Sequence, residues 1–397
     1  MEHITAPFRP YTQAPDPRHV DVLDGIRALC VFLVGWYHIW QQGWLTPSFV
    51  IGNRVISLDP LLRSGYLWVD GMLLLSGFLL YLPYADGKGV PNLRTFYKRR
   101  LIRIVPSYLL CILPLFVVAC VQKKYISGLD ACKDLAAHLT FTHTFFPFSY
   151  SGTPLNGALW TLGVEMQFYL LFPLLARAFK RRPAVTWCAL TAGAFAFRYW
   201  AGRQADTSLY FNQLPAFLDV YANGFAAAAA YQALRKKLGN GEWDKKIRLV
   251  FTVAFVLCLC QLWAILQAQA ATNGYDMIRR GQMDRRFGLS ATLSLAMVSA
   301  ACGLPALRFL LGNRLMRFLS GISFQFYIYH QLLAVKLKEW KIPYSPSDTP
   351  NVDDPAWRLP YTLLCFALAV AVAALITYCF ERPIARALRK KWIGKNE

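Results

Sequence analysis

Apolar stretches close to 20 residues long recur along the whole of this 397-residue chain. A stretch of about that length crosses the hydrocarbon core of a bilayer as an α-helix. The composition agrees, because 56% of the residues are hydrophobic and only 16% are charged. A soluble domain carries about 25% charged residues. The sequence therefore predicts an all-α polytopic membrane protein, a bundle of helices embedded in lipid.

The apolar stretches divide into ten predicted spans, at residues 22–44, 66–85, 106–122, 158–179, 184–202, 211–233, 248–268, 287–311, 313–338 and 358–380. Most of the 43 lysines and arginines fall between alternate spans, as the positive-inside rule requires when both termini are cytoplasmic. One segment opposes the rule, because Arg279, Arg280, Arg285 and Arg286 lie on the predicted outer side. We therefore expect about ten membrane helices with both termini inside, in the plasma or inner membrane.

Three regions follow from this division of the chain. Residues 1–21 form a polar, proline-rich cytoplasmic segment that does not read as a cleavable signal peptide. Residues 22–381 form the ten-span membrane domain, and residues 382–397 form a basic cytoplasmic tail. Each of the latter two is expected to meet membrane lipids.

The net charge of +21 could suggest nucleic acid as a partner. The basic residues, however, lie in short clusters between apolar runs, which is the pattern of a membrane protein rather than of a basic groove. No nucleic-acid partner is therefore expected. The ten cysteines contain no CxxC pair, so neither a metal site nor a disulfide scaffold is predicted.

The stretch IRALCVFLVGWYHIW, residues 26–40, keeps an arginine and a histidine inside the first span. Arg27 and His38 are eleven positions apart, which places them on one helix face at a separation of about 16 Å along the axis. A charged group facing lipid at such depth costs at least about 3 kcal/mol, so this face is expected to point into the bundle. Taken alone, the residues also allow Arg27 to reach lipid phosphates and His38 to make one interhelical hydrogen bond.

Three further spans carry polar groups at a depth similar to that of His38. Asp70 lies near the outer side of the second span and Ser76 near its middle, in YLWVDGMLLLSGFLL. Glu165 lies within NGALWTLGVEMQFYLLFP, and His330 within FQFYIYHQLL, each below the predicted outer end of its span. Ionisable groups with separate structural roles would scatter in depth. Their common level favours one shared polar cavity that opens outward.

A basic cluster lies just before the third span, in NLRTFYKRRLIRIVPSYLL. It contains Lys98, Arg99, Arg100 and Arg103 on the predicted cytoplasmic side. On charge alone, the cluster is typical of an anchor that touches anionic lipid headgroups. It could equally hold the phosphates of a nucleotide-type cofactor by charge-assisted hydrogen bonds.

Six motifs in this order resemble the membrane acyltransferase-3 family, bacterial O-acyltransferases that modify cell-surface polysaccharides and related acceptors. They are LDGIRALCVFLVGWYH, GYLWVDGMLLLSGFLL, FYKRRLIRIVPSY, LNGALWTLGVEMQFYLLFPLL, LSGISFQFYIYHQLL and FERPIARALRK, and they cover essentially the whole chain. Two features depart from the family pattern. Met166 follows Glu165 where many relatives have a second acidic residue, and GMLLLSGF in the second span is less aromatic than usual.

The resemblance implies an enzyme that takes an acyl group, most often acetyl, from cytoplasmic acyl-CoA. The group would pass to a hydroxyl of an extracytoplasmic glycan, glycolipid or related acceptor. By the same resemblance, Arg27 and His38 are the matched functional pair, and Arg99, Arg100 and Arg103 match a loop that is thought to contact CoA.

The residues allow a mechanism for such a transfer. Histidine is the side chain that can accept a proton near neutrality, so His38 is the expected general base. Glu165 or Asp70 is expected to orient its imidazole or to stabilise the charged form, as a triad carboxylate does. In a variant, His38 or Ser76 would carry the acyl group transiently. The candidate catalytic residues are His38, Glu165, Asp70 and His330, and the candidate cofactor-binding residues are Arg27, Lys98, Arg99, Arg100, Arg103 and Ser76.

Two other classes of function suit parts of the pattern. A transporter or flippase for an anionic solute or a lipid-linked glycan would also need buried charge, an outward polar cavity and a basic inner mouth. A sensor built on an inactive acyltransferase frame is a third alternative, which the intact Arg27, His38 and Glu165 disfavour. No motif in the outer loops specifies the acceptor.

Overall fold

A computed structural model describes residues 20–85, 92–238 and 242–394 of the chain. These residues are almost entirely helical, and the strands among them form one two-stranded antiparallel hairpin. Residues 1–19 and 395–397, which belong to the two predicted cytoplasmic segments, lie outside the described residues. The all-α fold class is confirmed for the described part of the chain.

The helices have the following bounds: α1 Val22–Gly43, α2 Asp59–Arg63, α3 Trp68–Ala85, α4 Leu93–Val121, α5 Gly128–Leu139, α6 Pro147–Tyr150, α7 Trp160–Arg181, α8 Pro183–Ala201, α9 Leu218–Lys237, α10 Glu242–Ala270, α11 Tyr275–Cys302, α12 Pro305–Leu311, α13 Arg314–Glu339, α14 Pro350–Asp353, α15 Pro355–Ile376 and α16 Arg382–Trp392. The two strands are β1 Ser48–Ile51 and β2 Arg54–Ser57. Short 3₁₀ turns occupy Gly65–Leu67, His143–Phe145, Gly157–Leu159 and Leu214–Phe217, and a π turn occupies Thr377–Glu381.

By length and apolarity, six helical segments of the described chain can cross a membrane: Val22–Gly43, Gly65–Ala85, Leu93–Val121, Gly157–Arg181, Asp244–Ala270 and Pro355–Trp392. Helices α11 and α12 would add a seventh span if they count together, with a bend of 113° between them. The chain is therefore a multi-pass membrane protein. The predicted spans 184–202, 211–233 and 313–338 overlap helices α8, α9 and α13. These three helices are not among the segments that are apolar enough to cross a membrane by composition alone. Ten spans and cytoplasmic termini stay predictions.

Helix α4 begins at Leu93, well before the predicted membrane span 106–122. The Asn92 side chain caps the helix by accepting a hydrogen bond from the Thr95 backbone N–H at 3.3 Å. Lysine and arginine are good helix formers, so the basic cluster continues the helix instead of forming a loop. The cluster therefore has helical faces, and its members point in different directions.

Helix α1 packs against α3, α13 and α15. A Cβ atom added at Gly35 would lie 2.4 Å from the Phe326 ring of α13, so only glycine allows this approach. Helices α3 and α9 approach similarly, since a Cβ at Gly224 would lie 2.6 Å from the Leu74 carbonyl oxygen. Small residues at such crossings let membrane helices pack closely. The close packing places polar side chains of α1, α3, α7 and α13 within reach of one another.

Three of the four outer arginines that oppose the positive-inside rule have carboxylate partners, and Arg285 instead donates to the Gln269 side-chain oxygen at 3.0 Å. Arg279 lies 3.3 Å from Asp206, and Arg280 lies 2.6 Å from Asp276. Arg286 is fully buried and forms an ion pair that is described below. Local pairing therefore offsets the cost of placing these cations on the predicted outer side.

Candidate active site

A cavity of about 230 Å³ lies among α1, α3, α4, α7 and α13. Its charged wall residues are Arg27, Arg100, Arg103 and Glu165, and the α3 wall is largely apolar. Three guanidinium groups against one carboxylate leave the wall with an excess of positive charge. Such a cavity attracts an anionic ligand.

Arg27 reaches this cavity from α1 and does not extend toward lipid. Its Nη1 lies 3.5 Å from Ser320 Oγ, a contact at the limit of a hydrogen bond. The Ser320 hydroxyl in turn donates to Asp24 Oδ1 at 2.9 Å. The guanidinium is thus oriented by α13 and by the preceding turn of its own helix, as its predicted inward orientation requires.

Of the basic cluster on α4, Arg100 and Arg103 line the cavity. The Arg100 guanidinium lies 5.6 Å from the centroid of the Tyr169 ring, over its face. Arg103 follows one turn later on the same helix face and is exposed at the predicted inner side. Two members of the cluster therefore meet Arg27 at one cavity.

The other two members of the cluster are not among the cavity residues. Lys98 Nζ donates to the Trp392 carbonyl oxygen of α16 at 2.5 Å. Arg99 is exposed. Because the sequence was interpreted as a loop here, helical periodicity could not be used to separate these residues from Arg100 and Arg103.

Glu165 projects from α7 into the cavity wall together with Ser76 of α3. Its Oε1 accepts a hydrogen bond from Ser76 Oγ at 3.0 Å and a second one from the Tyr169 hydroxyl. Tyr169 also lines the cavity, and sequence reasoning missed it. The signal was available, because residues four apart on a helix share a face.

His38 and His330 contact each other directly. His38 Nδ1 lies 2.8 Å from His330 Nε2, and His330 Nδ1 lies 3.0 Å from the Phe326 carbonyl oxygen. His330 is fully buried, whereas His38 is partly exposed. The structure therefore joins two sequence candidates into one pair, in which the member on α1 is the accessible one.

The histidine pair is not part of the cavity wall among the described residues. Tyr327 connects the two features, because it lines the cavity and its ring centroid lies 5.6 Å from that of His330. Its hydroxyl accepts from Thr161 Oγ1 at 2.9 Å and lies 3.1 Å from the Ala158 carbonyl oxygen. The predicted single cavity thus has two parts, an inner cavity and an outer histidine pair, with the Tyr327 ring between them.

Asp70 lies away from both parts. It is fully buried and pairs with the equally buried Arg286, whose Nε is 3.1 Å from Asp70 Oδ2. A second buried ion pair lies beside it, in which Arg198 Nη2 is 2.7 Å from Asp219 Oδ2. Both arginines also direct an N–H toward the Ala216 carbonyl oxygen. Within the described residues, the His38 ring forms its hydrogen bond with His330. Neither Asp70 nor Glu165, the two carboxylates expected to orient His38, contacts it.

The predicted outer segment between α4 and α7 contains a second histidine pair. The rings of His138 and His143 stack with centroids 4.5 Å apart. Burial lowers the pKa of His143 to about 3, and the neighbouring His138 adds to the effect. In the part of the chain that the structure describes, no group of three or more His, Cys, Asp or Glu side chains could hold a metal ion.

The fold and the site define a multi-pass helical membrane protein with a cation-lined cavity beside a histidine pair. The family described as "Acyltransferase domain" matches residues 20–378, which is nearly the whole chain. The chain belongs to this family, and the resemblance inferred from its motifs is confirmed.

Individual relatives match a smaller part of the chain. The O-acetyltransferase OatA of Staphylococcus aureus (strain NCTC 8325 / PS 47) is 29% identical over 184 residues, which cover 43% of this chain and 27% of the relative. The OatA protein of strain COL gives the same values. Another strain COL protein, whose O-acetyltransferase assignment is provisional, is 28% identical over 176 residues, or 42% of this chain and 26% of that protein. These matches thus span about a quarter of each relative. Among solved structures, none matches the chain significantly.

Proposed function

We propose that this protein is an integral-membrane O-acyltransferase of the plasma or inner membrane. It moves an acyl group, and specifically acetyl, from cytoplasmic acyl-CoA to a hydroxyl of an extracytoplasmic glycan or glycolipid. The observation that carries the proposal is the accessible His38, paired with His330, next to a cavity lined by three arginines. Family membership supports acyl transfer, and the names of the staphylococcal relatives support acetyl.

The cavity suits the narrow part of acyl-CoA. At about 230 Å³ it is smaller than the usual pocket for a drug-sized ligand, which begins at about 300 Å³. It therefore accommodates the acyl-pantetheine arm against the apolar α3 wall, while the nucleotide end stays at the inner mouth near Arg103. Guanidinium groups bind phosphate with two parallel hydrogen bonds, so Arg27, Arg100 and Arg103 serve the anionic end.

In the proposed reaction, His38 acts as the general base. Its Nε2 accepts the proton of the acceptor hydroxyl while the hydroxyl oxygen attacks the thioester carbonyl carbon. The carbon–sulfur bond then breaks, and the CoA thiolate leaves with the proton that His38 returns to it. General base catalysis of this kind contributes about 10²- to 10⁴-fold to a rate.

Tyr327 must move for this transfer to occur. Its ring lies between the cavity and the His330 ring, and its hydroxyl accepts a hydrogen bond from Thr161. An arriving acyl group displaces the ring, which then opens the passage toward His38. The separation of about 16 Å between Arg27 and His38 matches an extended acyl arm that passes through this opening.

Glu165 accepts hydrogen bonds from the Ser76 and Tyr169 hydroxyls and balances part of the positive charge of the cavity wall. Its contacts make it a residue of the donor site. Ser76 lines the same cavity, and it is the alternative acyl carrier if transfer occurs in two steps. A labelled acyl-enzyme that survives in wild type and disappears in Ser76→Ala would favour the two-step route.

The test uses the purified full-length protein in nanodiscs with radiolabelled acetyl-CoA and a glycan or simple alcohol acceptor. Wild type is expected to consume acetyl-CoA, and His38→Ala is expected to lose transfer by at least about 10²-fold while it stays folded. His138→Ala, a change in the separate His138–His143 pair, is the matched control and should retain transfer. Full activity of His38→Ala would overturn the proposal. Binding of acyl-CoA without any consumption would favour a transporter instead.

A further inference from the structure

We infer that His330 is a positioning residue that fixes the tautomer of His38, so that the lone pair of His38 lies on Nε2, the nitrogen that takes the proton. The inference rests on the proposed function, because it gives His330 its part in the reaction of His38. The two residues lie 292 positions apart in the chain. Their relation is a property of the fold alone.

The hydrogen-bond partner of His330 Nδ1 determines which nitrogen of this ring carries the hydrogen. Its Nδ1 lies 3.0 Å from the Phe326 backbone carbonyl oxygen, which can only accept a hydrogen bond. Nδ1 therefore carries a hydrogen. His330 is fully buried, and its contacts within the described chain include no carboxylate, so the ring is neutral. A neutral ring with its hydrogen on Nδ1 has a lone pair on Nε2.

The tautomer of His330 in turn determines the tautomer of His38. His330 Nε2, which bears the lone pair, lies 2.8 Å from His38 Nδ1. His38 Nδ1 must therefore carry a hydrogen and donate it to His330 Nε2. Neutral His38 then carries its own lone pair on Nε2. Among the described residues, His38 Nε2 has no hydrogen-bond partner and is not one of the buried unpartnered polar atoms, so it is open to an acceptor hydroxyl. Without a hydrogen-bond partner at Nδ1, a neutral imidazole could carry its hydrogen on either nitrogen.

The packing of α1 on α13 holds the His330 ring in place. The rings of Phe326 and His330 are stacked with centroids 5.6 Å apart and planes 7° apart. Phe32 of α1 also stacks on Phe326, with ring centroids 4.1 Å apart. Gly35 leaves the space that this ring column needs, since its missing Cβ would overlap Phe326. The orientation of His330 is therefore set by the helix interface.

A neutral histidine in this role differs from a triad carboxylate. When His38 is protonated, its Nδ1–H bond to His330 becomes charge-assisted and strengthens. The imidazolium is still less stabilised than it would be beside a carboxylate, so it returns the proton readily to the leaving thiolate. This arrangement suits a transfer in which the leaving group itself needs that proton.

The experiment compares His330→Gln with His330→Leu in full-length protein. The glutamine carbonyl oxygen can accept the His38 Nδ1–H, whereas leucine cannot. We expect His330→Leu to lower kcat by about 10²-fold or more, with KM for acetyl-CoA changed by less than about threefold. His330→Gln should recover at least about tenfold of that loss. Equal activity of both variants, or a loss that lies in KM alone, would overturn the inference.

A second readout is independent of acyl transfer. Histidine labelled with ¹⁵N reports which ring nitrogen carries hydrogen, and His38→Ala assigns the His38 signals. Wild type and His330→Gln should show hydrogen on His38 Nδ1, and His330→Leu should show it shifted toward Nε2. If wild type itself holds the hydrogen on Nε2, the inference fails even where transfer is observed. If the tautomer is as expected and no transfer occurs, the proposed function fails instead.

Discussion

Gly35 is the residue that makes the histidine pair geometrically feasible. It lies one turn before His38, and the Cβ of any other residue would meet the Phe326 ring at 2.4 Å. Gly35→Ala is therefore expected to push α13 away from α1, with a cost in stability of about 1–3 kcal/mol. The separation of the imidazoles should lower acyl transfer by at least about tenfold.

Gly288→Ala is the matched control for this change. It also lies within a helix, but an added Cβ there meets no atom within 4 Å. Thermal unfolding and transfer rates of the two variants, measured side by side, check the prediction. Wild-type activity of Gly35→Ala would show that the pair tolerates a wider helix separation.

The basic cluster on α4 separates into cavity residues and others. Arg100→Gln removes a guanidinium from the cavity wall and should raise KM for acetyl-CoA by about tenfold, because one charge-assisted contact to an anion contributes about 1.5–3 kcal/mol. Lys98→Gln should change KM by less than about twofold, since Lys98 binds the Trp392 carbonyl and not the cavity. Steady-state kinetics of the two variants give the comparison. Equal effects would indicate general attraction of the cytoplasmic surface for an anion.

At this scale, the sequence predicted that His38, Asp70, Glu165 and His330 share one polar cavity. All four make side-chain contacts between helices, but of the four only Glu165 lines the described cavity. The sequence could not show that His38 pairs with His330, because that contact depends on the rotation of α13 about its axis. Helical periodicity fixes which residues share a face, but it does not fix which face of another helix they meet.

At the scale of elements, α3 and α11 are joined by the buried Asp70–Arg286 pair. Asp70→Asn leaves Arg286 as an uncompensated buried charge, which costs about 3–5 kcal/mol. We expect a lower unfolding temperature, with little change in kcat for the fraction that stays folded. The double variant Asp70→Leu, Arg286→Met removes both charges and should recover much of the stability.

Thermal unfolding and single-turnover transfer, measured on the same preparations, test this prediction. A large loss of kcat in Asp70→Asn with an unchanged unfolding temperature would restore the catalytic role that the sequence suggested for Asp70. The sequence could not reveal the pairing, because Arg286 is 216 positions away. The outer position of Arg286 was instead noted as a departure from the positive-inside rule, and that departure was the available signal.

Helix boundaries show what local patterns can and cannot predict. The apolar runs located α1, α3, α7 and α15 closely, because apolarity and helix coincide there. The start of α4 at Leu93 was missed, since a basic amphipathic extension has no apolar signal. The predicted span 287–311 crosses the bend of 113° between α11 and α12, and hydropathy carries no information about such a bend.

For the whole molecule, the described chain contains an arginine-lined cavity and a histidine pair, which the predicted topology places toward opposite sides of the membrane. The arginine-lined cavity includes Arg103, which is exposed on the predicted cytoplasmic side, and the accessible histidine lies toward the predicted outer side. Tyr327 lies between them. In the proposed reaction, this ring would keep a reactive thioester from water until the acyl arm displaces it. The sequence could not predict the position of the Tyr327 ring, because it depends on one side-chain conformation.

The most direct measurement is a cryo-electron microscopy structure of the protein bound to a non-hydrolysable acetyl-CoA analogue. The account predicts phosphates at Arg100 and Arg103, a displaced Tyr327 ring, and the acetyl carbonyl carbon near His38 Nε2, with room for an acceptor oxygen about 3–3.5 Å from that carbon. An analogue whose acetyl group ends below an unmoved Tyr327, or turns toward lipid away from His38, would contradict it.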